Sequence, residues 1–405
     1  MDTVIYFAEE NYRKRSTVFG IKENDLLSHT YVVGKTGTGK TNLLESLLIG
    51  HINNGNGCCL IDPHGDLAEK VNRSIKASDN VVYVNPSDTD SPWGYNPLKR
   101  TPPHYIPLVA SGIIDVFKKS FDNKSWGARL EHILRNSVLT LLESGGAKLS
   151  DIPRLLNDRD YRQSILKRVR NQDLLDFWRF EYDKYSFVQR QIAIAPILNK
   201  LGGYITNPSV RRVVIDPAKE LSFSEIMDSR KILIINLSRG LIGSEAAHLL
   251  GSLFLTSISL AAYFRARLSE DRRIPFFIHV DEFQNFTTDS VADMLSELRK
   301  YKLGLVLAHQ YIGQLTPTIR DSIIGNVGTI IAFRIGTIDA KFLSTEFHPR
   351  FCVNDLISLP NYRIYLKLMI DGVPSKPFSA TTIKASKLIA DTRPNPFVVA
   401  SREES

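Results

Sequence analysis

The sequence has few cysteines, and this scarcity limits the kinds of protein that it can encode. Its 405 residues include three cysteines, Cys58, Cys59 and Cys352. An odd number without metal-ligand spacing argues against a disulfide framework and against a zinc site. Cys58 and Cys59 are neighbours on an apolar, strand-like run, which predicts small buried side chains in a reducing compartment.

A secretory signal peptide is also not predicted. The residues from Met1 to the basic Arg13-Lys14-Arg15 contain no apolar stretch of signal-peptide length, so the cytoplasm is the expected location. The run from Ala246 to Phe264 carries no formal charge and is close to the length that spans a bilayer. It lies between two strand-like segments and contains hydroxyl side chains, which favours a buried core helix over a membrane span.

Composition and charge describe a globular protein with a preference for polyanions. Hydrophobic residues make up 43% of the chain and charged residues 23%, which argues against a disordered or fibrous protein. The length allows two to three domains and a substantial core. A net charge of +8 favours nucleic acid or an anionic membrane face as the partner.

The most specific motif is an octet that matches a P-loop. Thr30 to Val33 in front of it is a β-branched run typical of a buried strand, and leucines follow Lys40 at helical spacing. A chance glycine-rich loop would not have this strand and helix context, which a P-loop requires. The octet predicts a nucleotide-phosphate site at Gly34, Lys35, Thr36, Gly37, Thr38, Gly39, Lys40 and Thr41.

The residue types of the octet fit phosphate chemistry. The glycines allow backbone N–H groups to turn inward and surround the phosphates, and the helix N-terminus adds the positive end of its dipole. Lys40 is expected to reach the β- and γ-phosphates, and the Thr41 hydroxyl is expected to bind Mg²⁺. ATP and Mg²⁺ are therefore the expected cofactors.

Two later strands end in polar residues that can complete an ATPase site. The apolar run from Pro275 ends at Asp281 and Glu282, and we expect Asp281 to hold Mg²⁺ and Glu282 to polarise the attacking water. The run from Gly304 ends at Gln310, whose amide could contact the γ-phosphate. An earlier strand ends at Asp62, either a supporting residue of the site or only a cap of the next turn and helix.

The middle of the chain has a different pattern. Between residues 101 and 220 the apolar spacing is helical, and we find no convincing strand. Basic residues alternate with aromatic ones between Arg154 and Arg190, which suits contact with phosphates and stacked bases. A solvated helix face over an aromatic core explains the same pattern and is slightly favoured.

The whole pattern predicts an α/β protein with a RecA-like P-loop core, a mostly parallel sheet flanked by helices, and an inserted all-α domain. The ATPase domain comprises residues 1–100 and 221–385, the helical domain residues 101–220, and a flexible tail residues 386–405. Tyr362 to Gly372 with Pro377 to Ile383 is typical of a closing hairpin. The turn at Phe19-Gly20-Ile21 is a candidate neighbour of the nucleotide base.

The ordered set of motifs resembles the HerA/FtsK branch of RecA-fold motor ATPases, and within it the coupling proteins of conjugation and type IV secretion, the VirD4/TraD/TraG group. The resemblance extends from Gly20 to about Ile383. Besides the P-loop, the motifs that carry it are Ile61-Asp62-Pro63-His64-Gly65-Asp66-Leu67, Gly94-Tyr95-Asn96-Pro97-Leu98, Val280-Asp281-Glu282-Phe283-Gln284-Asn285-Phe286 and Ala308-His309-Gln310-Tyr311-Ile312-Gly313-Gln314-Leu315.

The resemblance implies a homo-oligomer, a ring hexamer that hydrolyses ATP between subunits and moves DNA through its channel. An arginine from a neighbouring subunit would then complete each site, with Arg299 and Arg334 as the candidates. Membrane-anchored members begin with transmembrane helices, and none is predicted before the P-loop here. The protein is therefore expected in the cytoplasm, with possible recruitment to the inner face of the membrane through partners.

Three functions follow from these observations. The first is a DNA-translocating ATPase, acting on single- or double-stranded DNA in conjugative or type IV secretion-like transfer. The second is a secretion ATPase that acts on protein substrates. The third is a nucleotide-gated adaptor that recruits relaxosome or secretion-channel proteins without processive motion.

Overall fold

The computed structural model describes residues 3–11, 17–75, 80–121 and 126–390. The chain forms two compact units. The first comprises Met1–Val84, Phe223–Ser238 and Ala261–Ser405, and the second comprises Asn85–Ser222 and Arg239–Leu260. The second unit thus takes in Arg239–Leu260, which the sequence pattern places in the ATPase domain. The remaining predicted domain limits stay predictions, and residues 391–405 of the expected tail lie outside the described residues.

The first unit contains a sheet of eleven strands, and short strand pairs occur elsewhere in the chain. In chain order the strands are β1 (Val4–Glu10), β2 (Val18–Lys22), β3 (Thr30–Val33), β4 (Gly57–Asp62), β5 (Val81–Val84), β6 (Trp93–Gly94), β7 (Lys219–Glu220), β8 (Ile232–Asn236), β9 (Phe276–Val280), β10 (Leu303–His309), β11 (Thr329–Ala332), β12 (Arg363–Lys367), β13 (Met369–Ile370), β14 (Val373–Pro374) and β15 (Phe378–Thr382).

The large sheet has a parallel centre and an antiparallel flank. Its order is β2, β1, β15, β12, β11, β3, β10, β9, β4, β8 and β5. The seven strands from β11 to β5 pair in parallel, and the four others add antiparallel strands beyond β11. The predicted mostly parallel sheet is confirmed, and so is the closing hairpin, formed by β12 and β15.

Continuous apolar runs explain the parallel centre. The central strands β3, β4, β8, β9 and β10 are buried along their whole length. Strands covered by helices on both faces need apolar residues at every position, whereas half-exposed strands alternate. The β12 strand alternates between buried and more exposed residues, as expected for the antiparallel flank.

Helices of the first unit alternate with the parallel strands. The P-loop helix, Lys40–Asn53, follows β3 and buries ten of its fourteen residues. The helices of this unit are Glu23–Leu26, Lys40–Asn53, Asp66–Ser74, Phe223–Asp228, Asp289–Leu298, Pro317–Asn326, Thr337–Phe347, Val353–Ser358 and Ala385–Ala390.

The second unit is helical apart from the short pair β6 and β7, as far as the structure describes it. Its helices are Ile106–Ser120, Ala128–Ser144, Asp151–Asn157, Arg159–Leu166, Gln172–Asp176, Phe187–Thr206, Pro208–Val214 and Arg239–Ile242. The helix Ser244–Tyr263 belongs to this unit up to Leu260.

The aromatic residues of this unit are mostly core residues. Trp178 and Tyr182 are completely buried, and the Trp178 indole N–H donates a hydrogen bond of 2.8 Å to the Thr140 hydroxyl. Phe180 and Phe187 are the exceptions, with exposed fractions of 62% and 76%. The core explanation therefore holds for Trp178 and Tyr182, while two aromatic rings remain available to a partner.

One helix has the length and composition of a membrane span. The apolar segment Ser244–Arg267 has a mean hydropathy of 1.5, and 78% of its most apolar window is buried within the protein. A mostly buried helix of this kind is what the core of a folded domain contains, as the sequence predicts.

The expected turn at Phe19-Gly20-Ile21 is wrong. These residues lie within β2, the outermost strand of the sheet. The Phe19 ring packs edge-on against Phe7 and Phe378, with centroid distances of 5.4 Å to each. This small aromatic cluster attaches the N-terminal hairpin to β15, and it is far along the sheet from the P-loop.

Two buried histidines lie between the P-loop helix and the sheet. His51 stacks on Phe277 at a centroid distance of 4.1 Å, and its ring is 5.2 Å from that of His279. Neither imidazole has a hydrogen-bond partner within the described part of the chain. Burial lowers the pKa of His279 from 6.5 to about 3, so both rings are neutral in the folded protein.

This pair predicts loss of stability in acid. Because the pKa of His279 is lower in the folded state, the unfolded state binds more protons below pH 6.5, and stability falls as the pH falls from 6.5 toward about 3. For one such histidine the loss is about 2 kcal/mol at about pH 5. We expect His279→Leu to have a shallower pH dependence than wild type in urea unfolding between about pH 8 and 5. His104→Gln, a change at an exposed histidine, is the control, and equal slopes in all three proteins would contradict the assignment.

Candidate nucleotide site

The P-loop is fixed at the carboxyl end of β3 by its two neighbouring strands. The Gly34 N–H donates to the His309 carbonyl oxygen at 3.2 Å, and the Lys35 N–H donates to the Arg334 carbonyl oxygen at 2.9 Å. His309 ends β10, and Arg334 follows β11. The loop therefore continues the hydrogen bonding of the sheet on both sides before it turns into its helix.

Glycine is needed at two positions of the loop for different reasons. Gly39 has a φ of 119°, a conformation that residues with a Cβ rarely adopt, and a Cβ there would lie 2.9 Å from the Tyr362 ring. A Cβ at Gly34 would lie 2.6 Å from the Cβ of Phe333. The loop thus lies directly on neighbouring side chains, and its shape depends on these two glycines.

Lys40 lies inside the loop that precedes it. Its side chain is 7% exposed, and Nζ donates to the Gly34 carbonyl oxygen at 2.6 Å. Burial lowers the pKa of Lys40, while the charges of Glu282 and Asp281 act in the opposite direction. The ammonium group is thus held between the P-loop carbonyl and two carboxylates.

Asp281 and Glu282 follow β9, on the far side of β10 from the P-loop. Both are 5% exposed, and the Asp281 carboxylate accepts a hydrogen bond of 3.0 Å from the Glu282 N–H. Burial, followed by the charges of Glu282 and Asp62, raises the pKa of Asp281 from 3.8 to about 7. A second positive charge near the Asp281 carboxylate, in addition to Lys40, would therefore favour its ionised form.

Two amides hold the Glu282 carboxylate. Gln310 donates to one carboxylate oxygen at 2.9 Å, and Gln284 donates to the other at 2.8 Å. The Glu282 backbone has a φ of 48°, which is strained for a residue with a side chain. The structure thus brings the predicted residues Glu282 and Gln310 into direct contact, and it adds Gln284, which sequence reasoning missed.

Asp62 caps the turn and helix that follow it. One carboxylate oxygen accepts from the His64 N–H at 2.8 Å, and the other accepts from the Ala68 N–H at 2.9 Å. Asp62 also lies level with Asp281 across the paired strands β4 and β9, and its charge contributes to the raised pKa of Asp281. The side chain therefore combines both roles that the sequence left open, a cap and an electrostatic neighbour.

The phosphate loop and the acidic residues line one cavity of about 390 Å³. Thr41 is exposed at the cavity, as its predicted role requires. The residues that line the cavity are Thr36, Gly37, Gly39, Lys40, Thr41, Asn42, His64, Asp281, Glu282, Gln310 and Tyr362.

The site suits a metal that brings most of its own ligands. Within the described residues there is no cluster of three or more His, Cys, Asp or Glu side chains arranged to hold a metal ion. Mg²⁺ usually keeps several waters and uses one or two protein oxygens with substrate phosphates. The exposed Thr41 hydroxyl and the Asp281 carboxylate match that requirement. Burial, with the charges of Glu282 and Asp62, raises the pKa of Asp281, an effect that a bound cation would offset.

The two arginine candidates have different positions. Arg334 is half-buried, and its guanidinium donates to the Leu359 carbonyl oxygen at 3.2 Å and to the Asn361 side-chain oxygen at 2.9 Å. These bonds hold the segment that leads to Tyr362. In this chain Arg334 therefore supports the wall of its own cavity.

Arg299 is exposed and lies at the amino ends of the parallel strands, opposite the carboxyl ends that carry the P-loop. It begins the short turn before β10, and its charge contributes to lowering the pKa of His29, the residue before β3. The P-loop follows the other end of β3. Arg299 is thus remote from the cavity of its own chain, and its action on a neighbouring subunit stays a prediction.

Three lining residues were not predicted as parts of the site. Asn42 directly follows Thr41, and His64 lies two residues after Asp62, the end of its strand. Their positions in these motifs could have indicated that they line the site. Tyr362 is more than 300 residues from the P-loop, and no sequence pattern connects the two. His309, next to Gln310, is the last residue of β10, and burial lowers its pKa to about 3, so its ring is neutral.

The order of these motifs matches a known family. The profile of the type IV secretion-system coupling protein DNA-binding domain matches residues 16–341. The chain belongs to this family. The match spans the P-loop, Asp281 with Glu282, and Gln310. It confirms the resemblance to the coupling-protein group of the motor ATPases.

Solved structures of this coupling-protein group have the same fold. Plasmid coupling protein TrwB in complex with the non-hydrolysable GTP analogue GDPNP is 16% identical, with a TM-score of 0.66 over 91% of this chain and 87% of that chain. TrwB in complex with ADP and Mg²⁺ has a TM-score of 0.65 at 16% identity over the same shares of both chains.

A second kind of protein in these comparisons is VirB4 of Thermoanaerobacter pseudethanolicus, 14% identical with a TM-score of 0.62 over 95% of this chain and 96% of that chain. At these identities the likeness shows the RecA-like P-loop fold. No curated protein matches this coupling-protein family member in sequence.

The buried carboxylate of Asp281 predicts a variant that is more stable but inactive. Because its pKa is raised from 3.8 to about 7, the folded state binds more protons in this window, and the contribution of Asp281 to stability falls as the pH rises through it. Asp281→Asn removes the charge and keeps the oxygen that accepts from Glu282. We expect it to stabilise the nucleotide-free protein at about pH 8 by up to about 4 kcal/mol, and by little at about pH 4.

The measurement is urea unfolding without nucleotide or metal at several pH values. Asp271→Asn, at an exposed position, is the matched control and should follow wild type. A stability difference between Asp281→Asn and wild type that does not change with pH would contradict the raised pKa.

Proposed function

We propose that this protein is an ATPase that binds and hydrolyses ATP with Mg²⁺ and uses the energy to move DNA in conjugative or type IV secretion-like transfer. The observation that carries the proposal is one cavity in which Lys40, Thr41, Asp281, Glu282 and Gln310 meet. Each comes from the carboxyl end of a parallel strand, the edge at which α/β proteins bind ligands. Membership of the coupling-protein family supports the choice of DNA transfer.

The residues of the cavity divide the chemistry between them. Lys40 and the N–H groups of the P-loop bind the β- and γ-phosphates, which requires Lys40 to exchange its bond to the Gly34 carbonyl for phosphate oxygens. Thr41 and Asp281 would hold Mg²⁺, which when bound would supply positive charge to the phosphates. Glu282, fixed by two amides, orients the attacking water and accepts its proton.

Gln310 is suited to report the γ-phosphate. Its amide donates to Glu282, and the same N–H can donate to a phosphate oxygen. Binding of ATP would then release Glu282 from one of its two partners at the moment that water must be oriented. The Gln310 amide thus couples nucleotide occupancy to the catalytic carboxylate.

Assembly is part of the proposal. Two positive charges near the cavity are already engaged: Lys40 faces the carboxylates, and the guanidinium of Arg334 holds the segment before Tyr362. Phosphoryl transfer is accelerated by an arginine on the γ-phosphate, supplied in cis or by a neighbour. A homo-oligomeric ring, hexameric in this family, would supply it from an exposed residue such as Arg299.

A surface outside the nucleotide cavity is suited to bind protein partners. In the second unit four large apolar side chains between residues 180 and 192 are more than 60% exposed, and apolar surface that is exposed in one stretch is typical of a partner site. They are Phe180, Phe187, Val188 and Ile192. We propose that this surface meets relaxosome or secretion-channel proteins, and that such contacts recruit the protein from the cytoplasm to the inner face of the membrane.

DNA should stimulate ATP hydrolysis. We expect the ATPase rate of the wild-type protein to rise several-fold with single- or double-stranded DNA at low salt, and the stimulation to fall as salt displaces the phosphate contacts. The measurement is phosphate release with each DNA over a salt series. Hydrolysis that no DNA stimulates at low salt would favour a secretion ATPase that acts on proteins.

Glu282→Gln separates a motor from an adaptor. The amide keeps the shape of the side chain and one of the two hydrogen bonds that the carboxylate accepts. It cannot accept the proton of water, so we expect ATP binding to persist and hydrolysis to fall about 100-fold or more. Glu270→Gln, at an exposed position, is the control. Calorimetry, phosphate release and a transfer assay are compared, and continued transfer by Glu282→Gln would favour the nucleotide-gated adaptor.

A further inference from the structure

Tyr362 is an aromatic residue on the wall of the nucleotide cavity. It lines the cavity with Gly39 and Asn42, and 45% of the residue is exposed. The ring lies over the P-loop, since its Cδ1 atom is 2.9 Å from the position that a Cβ on Gly39 would take. An exposed ring in this place is available to a ligand that already occupies the P-loop.

The position of the ring is enforced by several bonds. The Tyr362 N–H donates to the Thr38 carbonyl oxygen of the P-loop at 2.7 Å, and its carbonyl oxygen accepts from the Thr382 N–H at 2.8 Å. The preceding residue, Asn361, is held by Arg334. Tyr362 thus joins the phosphate loop to the closing hairpin.

The backbone of Tyr362 is strained. Its φ is 66°, in the left-handed region where residues other than glycine, asparagine and aspartate are uncommon. Such a conformation costs on the order of 1 kcal/mol and persists where the surroundings impose it, often at a ligand site. Glycine would fit this backbone without strain, so the ring itself needs a reason to be here.

The order of the strands indicates which part of a nucleotide reaches the ring. Asp281, Glu282 and Gln310 follow β9 and β10, on one side of β3. Tyr362 precedes β12, which lies on the other side of β3, beyond β11. A nucleotide whose terminal phosphate faces Glu282 therefore extends its ribose and base toward Tyr362.

We propose that Tyr362 forms the base subsite, with its ring stacked on the nucleobase of the bound nucleotide. This inference depends on the proposed nucleotide-dependent function and adds a residue to the same site. Stacking on an aromatic face tolerates any base, because every base offers a π-face. Tyr362 would thereby contribute affinity for the whole nucleotide, while the P-loop binds its phosphates.

The ring can also serve only as packing for the P-loop, because it covers Gly39. The two explanations differ in their consequences for phosphate alone. A base platform affects ADP but not inorganic pyrophosphate, which has no base. A packing residue affects both ligands, because both depend on the shape of the loop.

The test compares ADP and pyrophosphate binding, each with Mg²⁺, to wild type, Tyr362→Phe and Tyr362→Gly by calorimetry. Tyr362→Gly removes the ring and fits the backbone, so the variant is expected to fold. We expect its Kd for ADP to rise about tenfold, the order of one stacked base, and its Kd for pyrophosphate to stay unchanged. Tyr362→Phe keeps the ring and should bind both ligands like wild type.

Arg230→Gly is the matched control for the backbone. Arg230 is exposed, has a φ of 52° and precedes β8 at the edge of the sheet away from the P-loop. The Arg230→Gly substitution relaxes the same kind of backbone strain but leaves the aromatic ring in the cavity, so ADP binding should not change. Thermal unfolding of all variants shows whether the fold is retained.

The outcomes distinguish the inference from the proposed function. Equal losses for ADP and pyrophosphate in Tyr362→Gly would assign the ring to packing, and unchanged ADP binding would remove it from the site. In both cases ATP binding and hydrolysis by wild type would leave the proposed function standing. A wild-type protein that neither binds ADP nor hydrolyses ATP would instead overturn the function on which the subsite depends.

Discussion

The buried charge around Lys40 is the constraint on which the rest of the site depends. One ammonium group lies with the carboxylates of Asp281 and Glu282 in a place that excludes most water. The carboxylates favour its charge and burial opposes it, and burial, with the charges of Glu282 and Asp62, raises the pKa of Asp281 to about 7. A site in this condition is incomplete without a further cation. Phosphates with a bound metal supply both the anion that Lys40 needs and the cation that Asp281 needs.

The sheet determines which residues share this charge. Ala332 and His309 pair with Val33 on its two sides, so the loop after β3 meets the ends of both neighbours at the same level. Val280 pairs with Ile61, which places Asp281 beside Asp62. A shift of one residue in any of these pairs would turn the polar tips to the wrong face. The apolar runs that bury these strands thus also fix the geometry of the carboxylates.

Much of this could be predicted because it is local in sequence. A strand, a glycine-rich loop and a helix are contiguous at the P-loop, and Asp281, Glu282 and Gln310 each follow an apolar run directly. Tyr362 and the bonds of Arg334 could not be predicted, since they depend on a backbone with positive φ and on contacts between distant segments. The grouping of Arg239–Leu260 with the second unit could not be read from the sequence either, because packing partners rather than periodicity decide where a helix belongs.

The two ends of the cavity are connected to different parts of the first unit. At the phosphate end, the Gln310 amide donates to Glu282, and under the proposed function it would also have to bind the γ-phosphate, so it could not serve both fully at once. At the other end, Tyr362 bonds to the P-loop through Thr38 and to the closing hairpin through Thr382. Under the proposed function, a change of nucleotide would therefore act on two different elements, β10 at one end and the closing hairpin at the other. Glu282 and Tyr362, one at each end, both have a positive φ, and such strain persists where the surroundings impose it, as they often do at a ligand site.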